Sequence, residues 1–327
     1  MTTTRLRPDT NLASRVLLPI VATLAVMVAA CVGDRGNDPT GGGRSSVGAK
    51  PGVGPTGPNK TKAGGTKDDG KDCDAIQVLD PANFVDPTLN TNAFQPLKPG
   101  IQWVRGGTTL VGNREVPHSV ISTMTDVIRM IEGVRTVAMF EESTDSGEVA
   151  QVGIDYLALD KDRNVWILGG YTEEYEGGQY TTTEDAWLGT SDGSTIGILA
   201  PAEVTAGTAV WCIGGAPGDD PSVGAPVAIG RRECVAFGCY DDVRVVQEGD
   251  AGAPDNEHKY YASGVGVIRN VPLNASLHKD RFELLNFVEL SPEGLAEISQ
   301  RLLDLEAHAR ETSPDAYRDA PKSQRAG

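Results

Sequence analysis

Of 327 residues, 45 are Asp or Glu and 29 are Lys or Arg, giving a formal net charge of −16 at pH 7. The first 30 residues and residues 31–72 each carry +2, so the chain from Cys73 onward carries −20. A body that acidic repels phosphate backbones and anionic headgroups, and nucleic-acid partners are excluded.

Arg5, Arg7 and Arg15 precede an apolar run from Val16 to Ala30, and Ala29-Ala30 lead directly into Cys31. Pro19 and Thr23 interrupt the run, which falls short of the ~20 residues that span a bilayer, so it reads as a secretion signal rather than a membrane helix. This stretch resembles bacterial lipoprotein precursors. The resemblance implies that residues 1–30 are a signal peptide and that Cys31 becomes a lipid-modified N-terminus anchored in a bacterial membrane. Two or more acyl chains hold a protein stably where one holds it only marginally. Residues 31–72 are Gly, Pro, Thr, Lys and Asp with almost nothing to bury, as in Gly41-Gly42-Gly43 and Pro51-Gly52-Val53-Gly54-Pro55. They read as a disordered tether spanning on the order of 35 Å.

From residue 73 to 311 the sequence predicts one domain, followed by a disordered tail at 312–327. Ile101-Gln102-Trp103-Val104 opens the first strand. Val116 to Ile131 is turned by Glu132-Gly133 into Val134 to Phe140, Ser143 to Gly147 turns into Val149 to Leu159, and Asp160 to Asn164 turns into Val165 to Leu168. Glu176-Gly177-Gly178-Gln179 joins the next arms, and later strands fall at Ala209 to Ile213, Val227 to Val235, Val243 to Gln247, Lys259 to Ile268 and Phe282 to Leu290. Short apolar runs with hairpin punctuation predict an all-β, antiparallel meander forming a curved sheet, half-barrel or open barrel. The glycines of Ala262-Ser263-Gly264-Val265-Gly266 read as a bend within one strand. Ser291 is an N-cap candidate with Pro292 at the first helical position. Leu295, Ile298, Leu302, Leu305 and Ala309 recur at three- and four-residue steps, predicting an amphipathic helix that packs on the sheet.

Beyond Cys31 there are four cysteines: Cys73, Cys212, Cys234 and Cys239. In an exported chain they read as disulfides, with three connectivities open. Cys234 and Cys239 flank a turn-sized loop, so a local bridge is expected there and, by elimination, Cys73 with Cys212. Zinc is a poor alternative, because no histidine stands near them at ligand spacing.

The runs Phe94-Gln95-Pro96-Leu97-Lys98-Pro99-Gly100, Asp160-Lys161-Asp162-Arg163-Asn164-Val165-Trp166 and Lys259-Tyr260-Tyr261-Ala262-Ser263-Gly264-Val265-Gly266-Val267-Ile268 together resemble a widespread, uncharacterised family of exported bacterial proteins. The resemblance runs from about Phe84 to Leu290 and includes the closing helix. Arg163 stands where that family usually has Gly, and Ser263 where it has Pro. No activity comes with the resemblance. The meander with a covering helix is also similar to the curved half-barrels of bacterial lipoprotein carriers.

The sequence contains no Gly-x-Ser-x-Gly elbow, His-Glu-x-x-His, phosphate-binding glycine loop or Cys-x-x-Cys. His278 and His308 read as solvated, and His118 and His258 as structural strand residues. Glu173, Glu174 and Glu176 opposite Glu184 and Asp185 would be the carboxylates of a hydrolase, but adjacent strand residues point to opposite faces and a solvated hairpin accounts for them. Asp160, Asp162 and Asn164, at alternate positions, resemble the first half of a calcium loop, although the sixth position is Val165 and the twelfth is Tyr171. No cofactor is expected, with calcium at that loop the one candidate ion. The functional expectation is a surface-tethered envelope module for binding or scaffolding, whose partner is an envelope protein. The alternatives are a carrier of an apolar ligand and an envelope hydrolase.

Overall fold

The computed structural model describes residues 79–326 except 90–91, 191–192, 251–252, 254–255 and 275–279, and the side chain of Glu184. Cys31, Cys73, His278, the signal and the tether lie outside the described residues.

The strands are β1 (Phe84–Val85), β2 (Ile101–Val111), β3 (Arg114–Ile131), β4 (Val134–Asp145), β5 (Glu148–Asp160), β6 (Val165–Glu176), β7 (Gln179–Leu188), β8 (Gly197–Ala200), β9 (Trp211–Gly214), β10 (Ser222–Val235), β11 (Gly238–Asp250), β12 (Glu257–Ala262), β13 (Gly266–Pro272) and β14 (Arg281–Glu289). They are followed by helix α1 (Pro292–Thr312), the short helix α2 (Pro314–Tyr317) and β15 (Gln324–Arg325). All pair antiparallel in one sheet of order β7-β6-β5-β4-β3-β2-β14-β13-β12-β11-β10-β9, with β1 added to β5, β8 to β6 and β15 to β3. The expected all-β open architecture with a C-terminal helix is therefore what the chain forms.

Two meanders make this sheet. One runs outward from β2 to β7; the other runs inward from β9 to β14 and joins the first where Phe287 pairs with Trp103 and Leu284 with Arg105. β8 shares the free edge of β6, taking Val165 to Ile167, while β7 takes Gly169 to Glu176. Just before β8 and just after β9, an isolated bridge links the two ends of the sheet, with Thr195 and Gly215 exchanging hydrogen bonds of 3.0 and 2.9 Å. Among the described residues no continuous ladder closes the sheet. The bridge draws the two edges together at the β8 end and leaves β7 as an open lip.

Local sequence explains the long hairpins. Glu132 and Gly133 both take positive φ, 47° and 84°, as a two-residue turn of type I′ requires between right-twisted strands. The stretch Lys259 to Ile268, expected as one bent strand, is instead a hairpin: β12 ends at Ala262 and β13 begins at Gly266. Gly264 and Gly266, at φ 77° and 94°, supply the conformations that turn the chain. Arg163, where glycine was expected by resemblance, takes φ 69° in the turn after β5.

Strand alternation gives the sheet two buried faces. On the convex face, Phe140, Val152, Ile154, Tyr156, Leu168 and Trp187 pack against Leu302, Leu305 and Ala309 of α1. Ser291 Oγ accepts from Gly294 N and caps that helix, with Pro292 behind it. On the concave face, Leu97, Trp103, Met124, Leu157, Leu159, Ile268 and Leu284 fill one half of the interior.

The tail at 312–327, expected to be disordered, folds back. Tyr317 is fully buried and donates its hydroxyl to Gly170 O at 2.9 Å. Arg325 grips Asp126 through Nε and Nη2, at 3.0 and 2.7 Å, while Gln324 and Arg325 pair with Ile128 and Val127. The attachment point is a bulge in β3, where the register with β4 slips between Met124 and Ile128 and frees the edge.

Cys234 and Cys239 are directly opposed in the β10–β11 hairpin and disulfide-bonded, with Cα atoms 4.0 Å apart. Cys212 is also disulfide-bonded.

Candidate functional site

The other half of the interior is polar. Trp103 and Arg105 lie on the same face of β2, and Ser122, Glu141 and Asp155 lie beside them on β3, β4 and β5. Arg105 is buried and donates Nε to Val267 O at 3.1 Å and Nη1 to Ser122 Oγ at 2.8 Å. Ser122 in turn donates to Glu141 Oε2 at 2.5 Å. Burial pulls the guanidinium down to about 10, with Glu141 opposing the shift. Across the barrel, Lys259 of β12 stands 3.0 Å from both Glu248 and Glu257. Burial works to lower this ammonium, but the two carboxylates outweigh it and hold it well above its ordinary value. Tyr261 donates to Glu248, and Asn270 Nδ2 donates to Glu257 Oε2 at 2.7 Å. Asp155 sits between these groups. Burial raises its carboxyl to about 7, Glu141 and Asp185 push the same way, and Lys259 pulls against them.

All of these residues except Glu248 and Asp185 border a cavity of about 290 Å³. It shares His118, Ser143, Gln151 and Asp280 with a second cavity of about 620 Å³ at the mouth, also lined by Asp145, Glu174 and Glu176. The pair form a cleft from the open lip into the barrel. His118 Nδ1 is 2.8 Å from Asp145 Oδ1, while its Nε2 has no hydrogen-bond partner; Asp280 Oδ2, at 3.9 Å, is too far. Ser143 Oγ and Asn270 Oδ1, both buried, are likewise without a partner. A buried polar atom left without a partner costs about 1–3 kcal/mol. Three such atoms facing one cleft mark it as the candidate site.

Of the residues singled out by sequence, His118, Glu174 and Glu176 line this cleft, while the calcium-loop residues and Glu173 lie elsewhere. The Asp160 carboxylate closes its own turn, accepting from Asn164 N at 2.7 Å, Asn164 Nδ2 at 2.8 Å and Trp166 Nε1 at 2.8 Å. Asn164 Oδ1 accepts from Ala202 N at 2.9 Å, and Asp162 is exposed. Among the described residues no three His, Cys, Asp or Glu side chains are grouped to hold a metal ion.

In the β6–β7 hairpin, Glu173 and Glu174 pair with Thr183 and Thr182, not with Glu184 and Asp185. Glu173 is fully buried under α1 and accepts from Tyr171 and Tyr175, each at 2.6 Å, and contacts His308 Nδ1 at 2.5 Å. His308, expected to be solvated, is a clamp between helix and sheet.

The cleft residues Arg105, His118, Glu141, Asp155 and Asn270 come from five strands. One signal was available in the sequence: Asp155 and Arg105 are lone charges inside otherwise apolar runs, and such charges are rarely buried without a reason.

The fold and the cleft define an open antiparallel β-barrel whose interior is apolar in one half and polar in the other. No protein-family model and no curated protein matches the chain. Two solved structures are similar to it in shape. One is a Bacteroides fragilis protein described as exported and of YmcC-like fold, at 10% identity and a TM-score of 0.33, over 61% of this chain and 100% of that one. The other is a Parabacteroides distasonis protein described as a lipoprotein, at 10% identity and a TM-score of 0.30, over 60% of this chain and 99% of that one. No activity follows from either. Among the described residues, no helix is long and apolar enough to cross a membrane.

Proposed function

We propose that the chain is a lipid-anchored, extracytoplasmic and non-catalytic binding module of the bacterial envelope, and that its binding surface is the polar cleft of the half-barrel. The observation that carries this reading is the trio of buried, unpartnered atoms, His118 Nε2, Ser143 Oγ and Asn270 Oδ1, bordering one cavity. What sets them apart from other unpartnered atoms is the open volume beside them, where a polar ligand would satisfy them. The lipobox at Cys31 supports the anchor, and the tether after it would hold the cleft clear of the headgroups.

A carrier of apolar ligands needs a dry, empty concavity. Here the apolar half is occupied by Trp103, Met124, Leu157 and their neighbours, and the open half is lined by charges. A hydrolase reading has one observation in its favour: a carboxyl near 7, as on Asp155, suits a general acid.

Two experiments test the proposal. Cys31→Ala should move the protein from the detergent phase to the aqueous phase in phase partitioning; unchanged partitioning rejects the anchor. Wild-type protein screened by ligand-observed NMR against polar small molecules should give saturable binding that Asn270→Leu removes, while a fluorescent fatty acid stays unbound. Micromolar uptake of that fatty acid would favour the carrier instead.

A further inference from the structure

Taking the cleft as the binding surface, three features restrict what it holds. The first is charge. Asp145, Glu174, Glu176 and Asp280 line the mouth, with no lysine or arginine among the described residues bordering it. Deeper in, both cations are committed, Lys259 to Glu248 and Glu257, and Arg105 to Val267 O and Ser122. The potential in such a low-dielectric cleft concentrates cations and excludes anions.

The second feature is hydrogen-bonding sense. The Asn270 amide nitrogen already donates to Glu257 and to Asp280 O, so the unpartnered atom is a carbonyl oxygen that only accepts. His118 Nδ1 faces Asp145, and in the neutral ring that keeps its proton on Nδ1 the Nε2 atom, 3.9 Å from Asp280 Oδ2, is a second acceptor. The unpartnered atoms are therefore two acceptors and the Ser143 hydroxyl, which can donate or accept. The third feature is dispersal: no three ligating side chains among the described residues are grouped as a metal cage, and the cavities of about 290 and 620 Å³ are far larger than an ion.

We propose that the cleft binds an organic ammonium compound, a short diamine or an amine-bearing chain, whose N–H groups donate to Asn270 Oδ1 and His118 Nε2 and whose charge is met by the carboxylates of the mouth. The proposal rests on the cleft being the binding surface, and the two can fail separately.

Calorimetry on the full chain in detergent tests it with three probes of one length: 1,4-diaminobutane, 1,4-butanediol and succinate. The diamine should bind saturably at one site, the diol roughly tenfold or more weaker, and succinate not at all. Asn270→Leu should weaken the diamine roughly tenfold. Glu176→Gln, at an exposed position where folding is not at stake, should weaken it roughly threefold. A diol that binds as tightly as the diamine overturns the ammonium assignment and leaves a polar binding cleft standing. Diamine binding that ignores both variants and vanishes at about 0.15 M salt is counter-ion attraction to an acidic surface and overturns it too. Absence of binding by all three probes also overturns it.

Discussion

The two faces of the sheet hold the same kinds of polar group and treat them differently. On the convex face, Arg129 is buried 3.2 Å from Glu306 Oε2, and Glu306 also takes Arg310 at 2.9 Å, the Tyr156 hydroxyl at 3.2 Å and Ser323 N at 3.2 Å. Arg129 leaves Nε and Nη2 unpaired, but its guanidinium lies between the Tyr156 and Tyr317 rings, 5.1 and 5.0 Å from their centroids. Every partner there comes from the chain itself, and the helix and the tail seal the network. On the concave face, Arg105 and Glu141 meet through Ser122 beside a cavity, and acceptors are left over. The convex network has unpaired atoms too, Arg129 Nε and Nη2 and Ser323 Oγ, but they are sealed in; the unpaired atoms of the concave network stand beside open volume, where a group from outside can reach them.

Removing one carboxylate from each face should separate the two layers most strongly. Glu306→Ala strands Arg129 in a sealed, dry layer, and such a loss costs about 3–5 kcal/mol. Glu141→Ala leaves its partners beside a cavity that water can enter, so the cost is closer to about 1–2 kcal/mol. Urea midpoints of the two variants measure the difference. Equal losses would mean that the concave network is as closed as the convex one.

A smaller effect should appear with pH. Asp155, raised to about 7 in the folded state from an ordinary 3.8, keeps its proton on folding where the unfolded chain has lost it. Between about pH 4 and 7 the folded state thus binds more protons than the unfolded one, so stability falls as pH rises through that window and levels off above it. Glu306 works oppositely: burial opposes ionisation, but Arg129 and the hydrogen bonds from Ser323 and Arg310 hold its carboxyl below the ordinary range, so its contribution is lost only as pH falls into the acid range. Asp155→Asn should therefore stabilise the protein more at pH 8 than at pH 5. Parallel pH profiles for variant and wild type would remove Asp155 from the buried network.

Local signals in the sequence carried the convex half of this picture and little of the concave half. Hairpins announced themselves at Glu132-Gly133 and Gly177-Gly178, and the Cys234–Cys239 bridge followed from a turn-sized loop. The helix followed from its cap and apolar periodicity. These features depend on residues close in the chain. The cleft depends on strands far apart in it, such as Leu284 beside Arg105, so parity shows that two faces exist but not which one curls inward. The tail was missed for a related reason. Its anchors, Tyr317 on Gly170 and Arg325 on Asp126, are solitary residues whose partners lie 147 and 199 positions away.

The smallest expected effect is the most direct test of incompleteness. Ser143 sits on β4 between the two cavities, buried, with its hydroxyl unpartnered, and the neighbouring Thr144 and Ser119 hydroxyls pair with each other at 2.8 Å instead. Where a buried hydroxyl makes a bond, its removal costs about 1 kcal/mol. Here Ser143→Ala removes a group that is desolvated without return, so the free protein should be unchanged or more stable by up to about 1 kcal/mol. Affinity for whatever fills the cleft should fall in the same variant. Thermal unfolding with and without the diamine reads both quantities from one sample. A destabilised free protein whose ligand-induced shift is intact would place Ser143 with the sealed network of the convex face and undo the contrast between the two.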